Sequence, residues 1–214
     1  LSSIGRCFDI GGTTSAALAR FERSGDPFSG SDDPRSAGNG SIMRLAPVPM
    51  FFAADPPAAV AYAAESSRTT HAAQECLDAC RLLAVILLAA LAGADKQAVL
   101  FGPHTALAGS PPLSPKLRAI ADGEYRDKDI DQIRGSGYVV PSLEAALWCF
   151  WRTDNFRDAI LAAANLGDDA DTTAAICGQV AGAFYGQSGI PGHWLKRLVM
   201  AEEIRDLADR LMRG

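Results

Sequence analysis

The chain has 214 residues, of which 48% are hydrophobic and 21% charged, and a formal net charge of −5. That length supports one domain with a sizeable core, and the composition excludes a disordered chain. The acidic balance argues against a general nucleic-acid binder, which is more often basic.

In chain order, residues 1–12 are glycine-bearing and irregular, and Thr13–Glu22 predicts a short helix. Residues 24–41, rich in Ser, Gly, Asp and Pro, form a long loop, a length that is usually functional when it occurs inside a compact domain. Pro56 or Pro57 opens a helix at its first position. Apolar residues at helical spacing predict one long buried helix from Thr69 to Ala92, ended by Gly93. The Gly/Pro-laden stretch 102–115 is a break, Ser114–Ala121 a short helix, and 122–137 polar and then glycine-bearing. Pro141 opens a helix through Arg152, Asp154 caps another to about Ala164, Asp171–Tyr185 is a third, and Trp194–Met212 is the last, its charges forming a solvated face. No sustained period-two alternation marks a strand, so the reading is all-α and one domain.

The five cysteines, Cys7, Cys76, Cys80, Cys149 and Cys177, are odd in number and contain no CxxC pair. They read as reduced core thiols of a cytoplasmic protein. With only His71, His104 and His193 available, a His-rich zinc site is not expected. The most apolar run, Leu82–Leu91, is far short of the roughly 20 residues that span a bilayer, and no leader pattern is visible. A membrane partner is therefore not expected.

The sharpest feature is Asn165-Leu166-Gly167-Asp168-Asp169-Ala170-Asp171-Thr172-Thr173, with three carboxylates in four positions at a turn before a helix. Helix capping explains one aspartate. Three so close repel one another unless a cation or solvent screens them, and carboxylates with a threonine hydroxyl suit Mg²⁺, Mn²⁺ or Ca²⁺. An EF-hand is excluded, because the glycine and glutamate it requires at its sixth and twelfth positions are absent in either register. Capping and metal binding both remain open on pattern alone. Ala174, Gly178 and Gly182, four apart on the following helix, indicate close approach by a neighbouring helix.

The stretch Asn165–Gly186 resembles the C-terminal metal motif of the ADP-ribosylglycohydrolases. Three further segments occur in that family's order: Gly38-Asn39-Gly40-Ser41-Ile42-Met43-Arg44-Leu45-Ala46-Pro47, the pair Thr70-His71, and the glycine-tyrosine loop Gly135–Trp148. The resemblance implies a compact, all-α, single-domain fold with a binuclear Mg²⁺ or Mn²⁺ site. It further implies hydrolysis of the glycosidic bond between ADP-ribose and a protein side chain or small acceptor. Asp169, Asp171 and Thr172 correspond to metal ligands, with Asp169 and Asp171 also catalytic. Asn39, Gly40, Ser41 and Met43 correspond to the loop near the phosphates and distal ribose, His71 to a ligand contact, and Gly137 and Tyr138 to the loop beside the adenosine. The expected partners are ADP-ribose or an ADP-ribosylated protein.

One departure matters. The family's other metal half-site, a Thr-Asp-Asp run near its N-terminus, is not found, and Leu1–Phe8 look like the segment that follows it. The expectation is a domain incomplete at its N-terminus, with weakened metal binding and apolar surface open to self-association. The alternative is a degenerate member that binds ADP-ribose without catalysis or is purely structural. A rival resemblance, of Asp9-Ile10-Gly11-Gly12-Thr13-Thr14 to the phosphate loop of sugar kinases and actin-like ATPases, needs a preceding strand; a turn entering a helix is favoured. Arg44 suits either a phosphate or a carboxylate partner, Asp168 a turn, and Met43, Trp148 and Tyr138 taken singly suit packing.

Overall fold

The structure is a computed structural model that describes residues 6–7, 9–102, 107 and 109–213. The expectations for Leu1–Phe8 and for part of the 102–115 break fall largely outside them. Eleven helices are described: α1 (Gly12–Ser24), α2 (Pro47–Phe51), α3 (Pro56–Arg68), α4 (Gln74–Leu91), α5 (Lys96–Phe101), α6 (Pro115–Ala121), α7 (Val139–Trp151), α8 (Phe156–Ala164), α9 (Ala170–Tyr185), α10 (Gly192–Leu195) and α11 (Ala201–Arg213). Among the described residues there is no strand, only the isolated bridges Ser31 to His71 and Gly38 to Tyr138, so the all-α expectation holds. Gly12 begins α1, so Asp9–Thr14 leads into a helix, and no alternation of strands with helices follows it among the described residues.

The apolar core is built on α4, whose residues from Cys76 to Leu87 are all buried. It packs against α3, α7 and α9, and α9 in turn takes α8 and α7 on its other sides. A helix buried all round reads as continuously apolar, which is how α4 announced itself in the sequence. The small-residue stripe of α9 does what its spacing predicts: a Cβ added at Gly178 would lie 3.4 Å from Ile160 Cδ1, and one at Gly182 would lie 3.9 Å from Phe156 Cε2. These glycines are where α8 lies close against α9.

Several boundaries differ from expectation. Thr69-Thr70-His71 does not begin α4. Thr69 is the C-cap of α3, and Ala72 N–H donates to Ser31 O at 2.9 Å, so the segment pairs with the long loop instead of coiling. Gly30 is needed beside it, because a Cβ there would meet Arg68 O at 2.5 Å. Asn155, not Asp154, caps α8, its side chain accepting the Asp158 N–H at 2.9 Å. Helix α7 starts at Val139, two residues before Pro141. The expected terminal helix is two, separated where Met200 adopts φ +61°. The short α2 and α5 were not foreseen; α5 is capped by Asp95, which accepts the Ala98 N–H at 2.8 Å. Gly93 ends α4 at φ +79°, as expected.

Cys76, Cys80, Cys149 and Cys177 are core thiols, whereas Cys7 is exposed. No helix among the described residues is long and apolar enough to cross a membrane. Helix α11 buries none of its residues, and Ile204 and Leu207 on its apolar stripe are about half exposed, as are Leu18 and Phe21 of α1.

One ion pair fixes the base of α4. Asp78 is fully buried and accepts hydrogen bonds from Arg81 Nη2, Gln74 Nε2 (2.7 Å) and Ser114 N–H (2.7 Å), while Arg81 Nη1 donates to Pro111 O at 2.6 Å. The pair thereby ties the proline-rich segment before α6 onto α4. Arg81→Met leaves a buried carboxylate without its cation and is expected to destabilise the chain by about 3–5 kcal/mol in urea unfolding. Replacing Asp78 with Leu in the same background is expected to recover much of that loss; no recovery would show that the loop tether, not the buried charge, dominates.

Candidate functional site

The site is assembled by three segments that are distant in sequence and meet at one amide. Asn39 opens a 3₁₀ segment, Asn39–Arg44, and is only 7% exposed. Its Nδ2 donates to Asp169 Oδ2 at 2.7 Å, to Ser142 Oγ at 3.1 Å and to Ser136 O at 3.3 Å. Backbone bonds tighten the junction: Asn39 N–H to Gly137 O (3.0 Å), Val139 N–H to Ala37 O (3.0 Å) and Asp169 N–H to Gly135 O (2.7 Å). The other end of the 3₁₀ segment is held by Gln179 on α9, whose Nε2 donates to Ile42 O (2.9 Å) and whose Oε1 accepts the Ala46 N–H (2.7 Å).

The acidic turn is shaped by Gly167 at φ +77° and Asp168 at φ +54°, a left-handed pair that aspartate tolerates, so Asp168 is a turn residue as expected. Asp169 occupies the N-cap position of α9, yet its side chain makes no capping bond. Its carboxylate turns to Asn39 instead, which removes the capping explanation for this aspartate. Among the described residues, the side chains of Asp171 and Thr172 have no hydrogen-bond partner, and both line a cavity with Asp169.

That cavity measures ≈ 570 Å³. Of the residues the resemblance points to, Asn39, Gly40, Met43, His71, Gly137, Asp169, Asp171 and Thr172 all lie on its wall. Ser41 does not: it is 2% exposed, its hydroxyl has no hydrogen-bond partner among the described residues, and it sits beside the Cys80 thiol behind the loop. Tyr138 also stands off the wall, lining an adjoining groove of ≈ 380 Å³ that shares Thr13, Gly38 and Gly137 with the cavity. Its hydroxyl bonds Glu75 and accepts from Lys116 Nζ at 2.7 Å; burial first, then the Glu75 bond, raises its pKa above the usual tyrosine value.

Two parts of the wall were not among the residues the resemblance assigned to the site. Asp9–Thr14 contribute one side, carrying the N-terminus of α1, and the glycine pair there was the available signal. Arg44 contributes another. Among the described residues it pairs with no carboxylate, and it donates to Ser66 Oγ (3.3 Å), Ser66 O (3.2 Å), Thr69 Oγ1 (3.1 Å) and Thr70 Oγ1 (2.9 Å). Thr70 Oγ1 lies 2.8 Å from His71 Nδ1. Burial, and secondarily the Arg44 charge, push His71 down to about 4, so its ring is neutral near pH 7.

The oxygen donors Asp169, Asp171 and Thr172 suit a hard divalent cation, and magnesium is commonly held by one or two carboxylates while retaining waters. They form a partial set: no group of three His, Cys, Asp or Glu able to hold a metal occurs among the described residues.

A family model described as ADP-ribosylglycohydrolase matches residues 1–214. Similar proteins include an ADP-ribosylarginine hydrolase of Serratia proteamaculans (strain 568), 46% identical over 98% of this chain and 56% of its own length. A second protein of that name, from Pseudomonas putida (strain GB-1), is 47% identical over 97% of this chain and 54% of its own. The chain thus spans about half the length of these curated relatives. A solved structure titled "ADP-ribosylglycohydrolase-related protein complex" superposes with TM-score 0.84 at 41% identity, covering 95% of this chain and 69% of that one.

The depressed His71 pKa has a measurable consequence. Between about 4 and the ordinary 6.5 the unfolded chain binds a proton that the folded chain does not. The His71 contribution to stability is therefore complete above the upper value and declines as pH falls toward the lower one. His71→Asn is expected to flatten this slope in urea unfolding compared at about pH 7 and about pH 5; an unchanged slope would mean that the imidazole is not held neutral.

Proposed function

The chain belongs to the ADP-ribosylglycohydrolase family, and we propose that it forms the ADP-ribose-binding part of a metal-dependent hydrolase that releases ADP-ribose from modified arginine. The observation that carries this reading is the Asp169 carboxylate, placed at a helix N-cap but turned into the cavity and held there by the buried Asn39 amide. The names of the relatives at 46% and 47% identity support arginine as the acceptor.

In this reading the bond between ribose C1″ and the guanidine nitrogen breaks, a water oxygen bonds to C1″, and a proton goes to the leaving nitrogen. Positive charge builds on the ribose as the bond opens, and Asp169 and Asp171 offset it electrostatically. The Asn39 amide keeps Asp169 in one orientation, so that offset requires little rearrangement at the moment of reaction. Magnesium or manganese bound by Asp169, Asp171 and Thr172 would supply a template for ribose hydroxyls and a more acidic water.

Titration calorimetry of the 214-residue chain with ADP-ribose, in the presence and absence of Mn²⁺, tests the reading. Binding is expected only with the metal, and to be lost in Asp171→Asn. Asn39→Leu is expected to lower Mn²⁺ affinity about 10–100-fold, the usual effect of removing a residue that orients a ligand. Equal binding with and without metal would remove the cation from the account. Absence of binding in both conditions, and again in a longer chain that carries the family's N-terminal half-site, would favour a non-catalytic, structural member.

A further inference from the structure

His71 is 3% exposed, yet it lines the cavity and presses on the loop opposite it. A Cβ added at Gly40 would lie 2.8 Å from His71 Cε1 and 3.1 Å from Nε2, and one at Gly38 would lie 3.3 Å from Nε2. The ring therefore stands with its Nε2 edge toward the Gly38–Gly40 loop that borders the cavity. Among the described residues Nε2 has no hydrogen-bond partner, whereas Nδ1 has one, the Thr70 hydroxyl at 2.8 Å.

The direction of that second bond follows from proton counting. Arg44 Nη2 donates to Thr70 Oγ1, and a guanidinium has no acceptor to offer in return. The Thr70 hydroxyl proton must then be placed elsewhere, and His71 Nδ1 is the acceptor within reach. An imidazole that accepts at Nδ1 carries its single proton at Nε2. Two features act against a second proton on the ring: its burial and the Arg44 charge beyond the hydroxyl.

We propose that Arg44 and Thr70 are positioning residues that lock His71 as the neutral Nε2–H tautomer, so that the cavity is met by an N–H donor and not by a nitrogen lone pair. This device deepens, and rests on, the reading of the cavity as an ADP-ribose site, where an N–H at this wall suits a phosphoryl or hydroxyl oxygen. Glycine at positions 38 and 40 is what allows the ring to stand so close to the loop.

The test is nitrogen-15 NMR of the histidine-labelled full chain, which has only three histidines to assign. In the wild-type chain His71 is expected to show protonated Nε2 and unprotonated Nδ1. Thr70→Val keeps the shape and removes the hydroxyl, and should shift the ring toward the Nδ1–H form or a mixture; Thr70→Ser should restore the wild-type pattern. Arg44→Leu, which removes the donor that turns the Thr70 hydroxyl proton toward the ring, should also admit the Nδ1–H form. ADP-ribose affinity should fall about tenfold in Thr70→Val and return in Thr70→Ser, as for a hydrogen bond to a charged group. A wild-type ring protonated at Nδ1, or a Thr70→Val ring unchanged, overturns the proposal. If ADP-ribose fails to bind while the tautomer responds as stated, the lock stands and the assignment of the cavity's ligand fails.

Discussion

The buried amide of Asn39 is the interaction on which the site depends. Its three acceptors lie 97, 103 and 130 residues away in the chain, on the glycine-tyrosine loop, on α7 and at the head of α9. A hydrogen bond in a low-dielectric interior is strong when made, and an amide or carboxylate left without a partner there costs about 1–3 kcal/mol, so the three segments come together as a set. Gln179 anchors the far end of the same 3₁₀ segment from a helix that is itself locked against α8 by small residues. A stretch with little regular structure of its own is thus fixed at both ends by side-chain amides on rigid elements. That arrangement is what holds a site to a small tolerance.

How far this was legible depended on where each residue finds its partner. Helix α4 was visible because it is buried on all sides, and the acidic turn because three carboxylates crowded into four positions need an explanation. The glycine stripe of α9 was visible because glycine inside a helix is costly without a packing reason. Thr69–His71 was misread because nothing local, neither glycine nor proline, breaks the chain before α4, while the residues that pull it out of the helix, Gly30 and Ser31, lie some forty positions upstream. Propensity over a window cannot register a partner outside it.

The same limit applied to the cavity. The motif residues were read together because they stand together, but Asp9–Thr14 became wall only through tertiary placement, and the partners of Arg44 within the chain are hydroxyls and a carbonyl contributed by the end of α3 and the segment after it, not a carboxylate. Ser41 and Tyr138 sit inside recognisable motifs, yet the 3₁₀ geometry turns Ser41 toward Cys80, and the hydrogen bonds of Tyr138 hold it in the adjoining groove. A motif fixes the backbone path; which side of that path faces the cavity is decided by the rotation of a short irregular segment.

These placements bring groups of unlike chemistry to one cavity wall. Asp169 and Asp171 supply two carboxylates, with Asp169 held in orientation by a neutral amide that leaves its charge uncompensated by a side-chain cation. The ring of His71, neutral near pH 7, the glycine loop and the N-terminus of α1 supply N–H groups, and Asp9 beside α1 adds a further carboxylate. Arg44 on the same wall faces hydroxyls and a carbonyl, so its charge is not cancelled by a carboxylate. Without a cation, phosphoryl oxygens brought to this wall would meet carboxylates, and like charges repel. A divalent cation held by Asp169 and Asp171 would reverse the sign of the charge on their side, which is why the proposed binding of an anionic ligand depends on the metal.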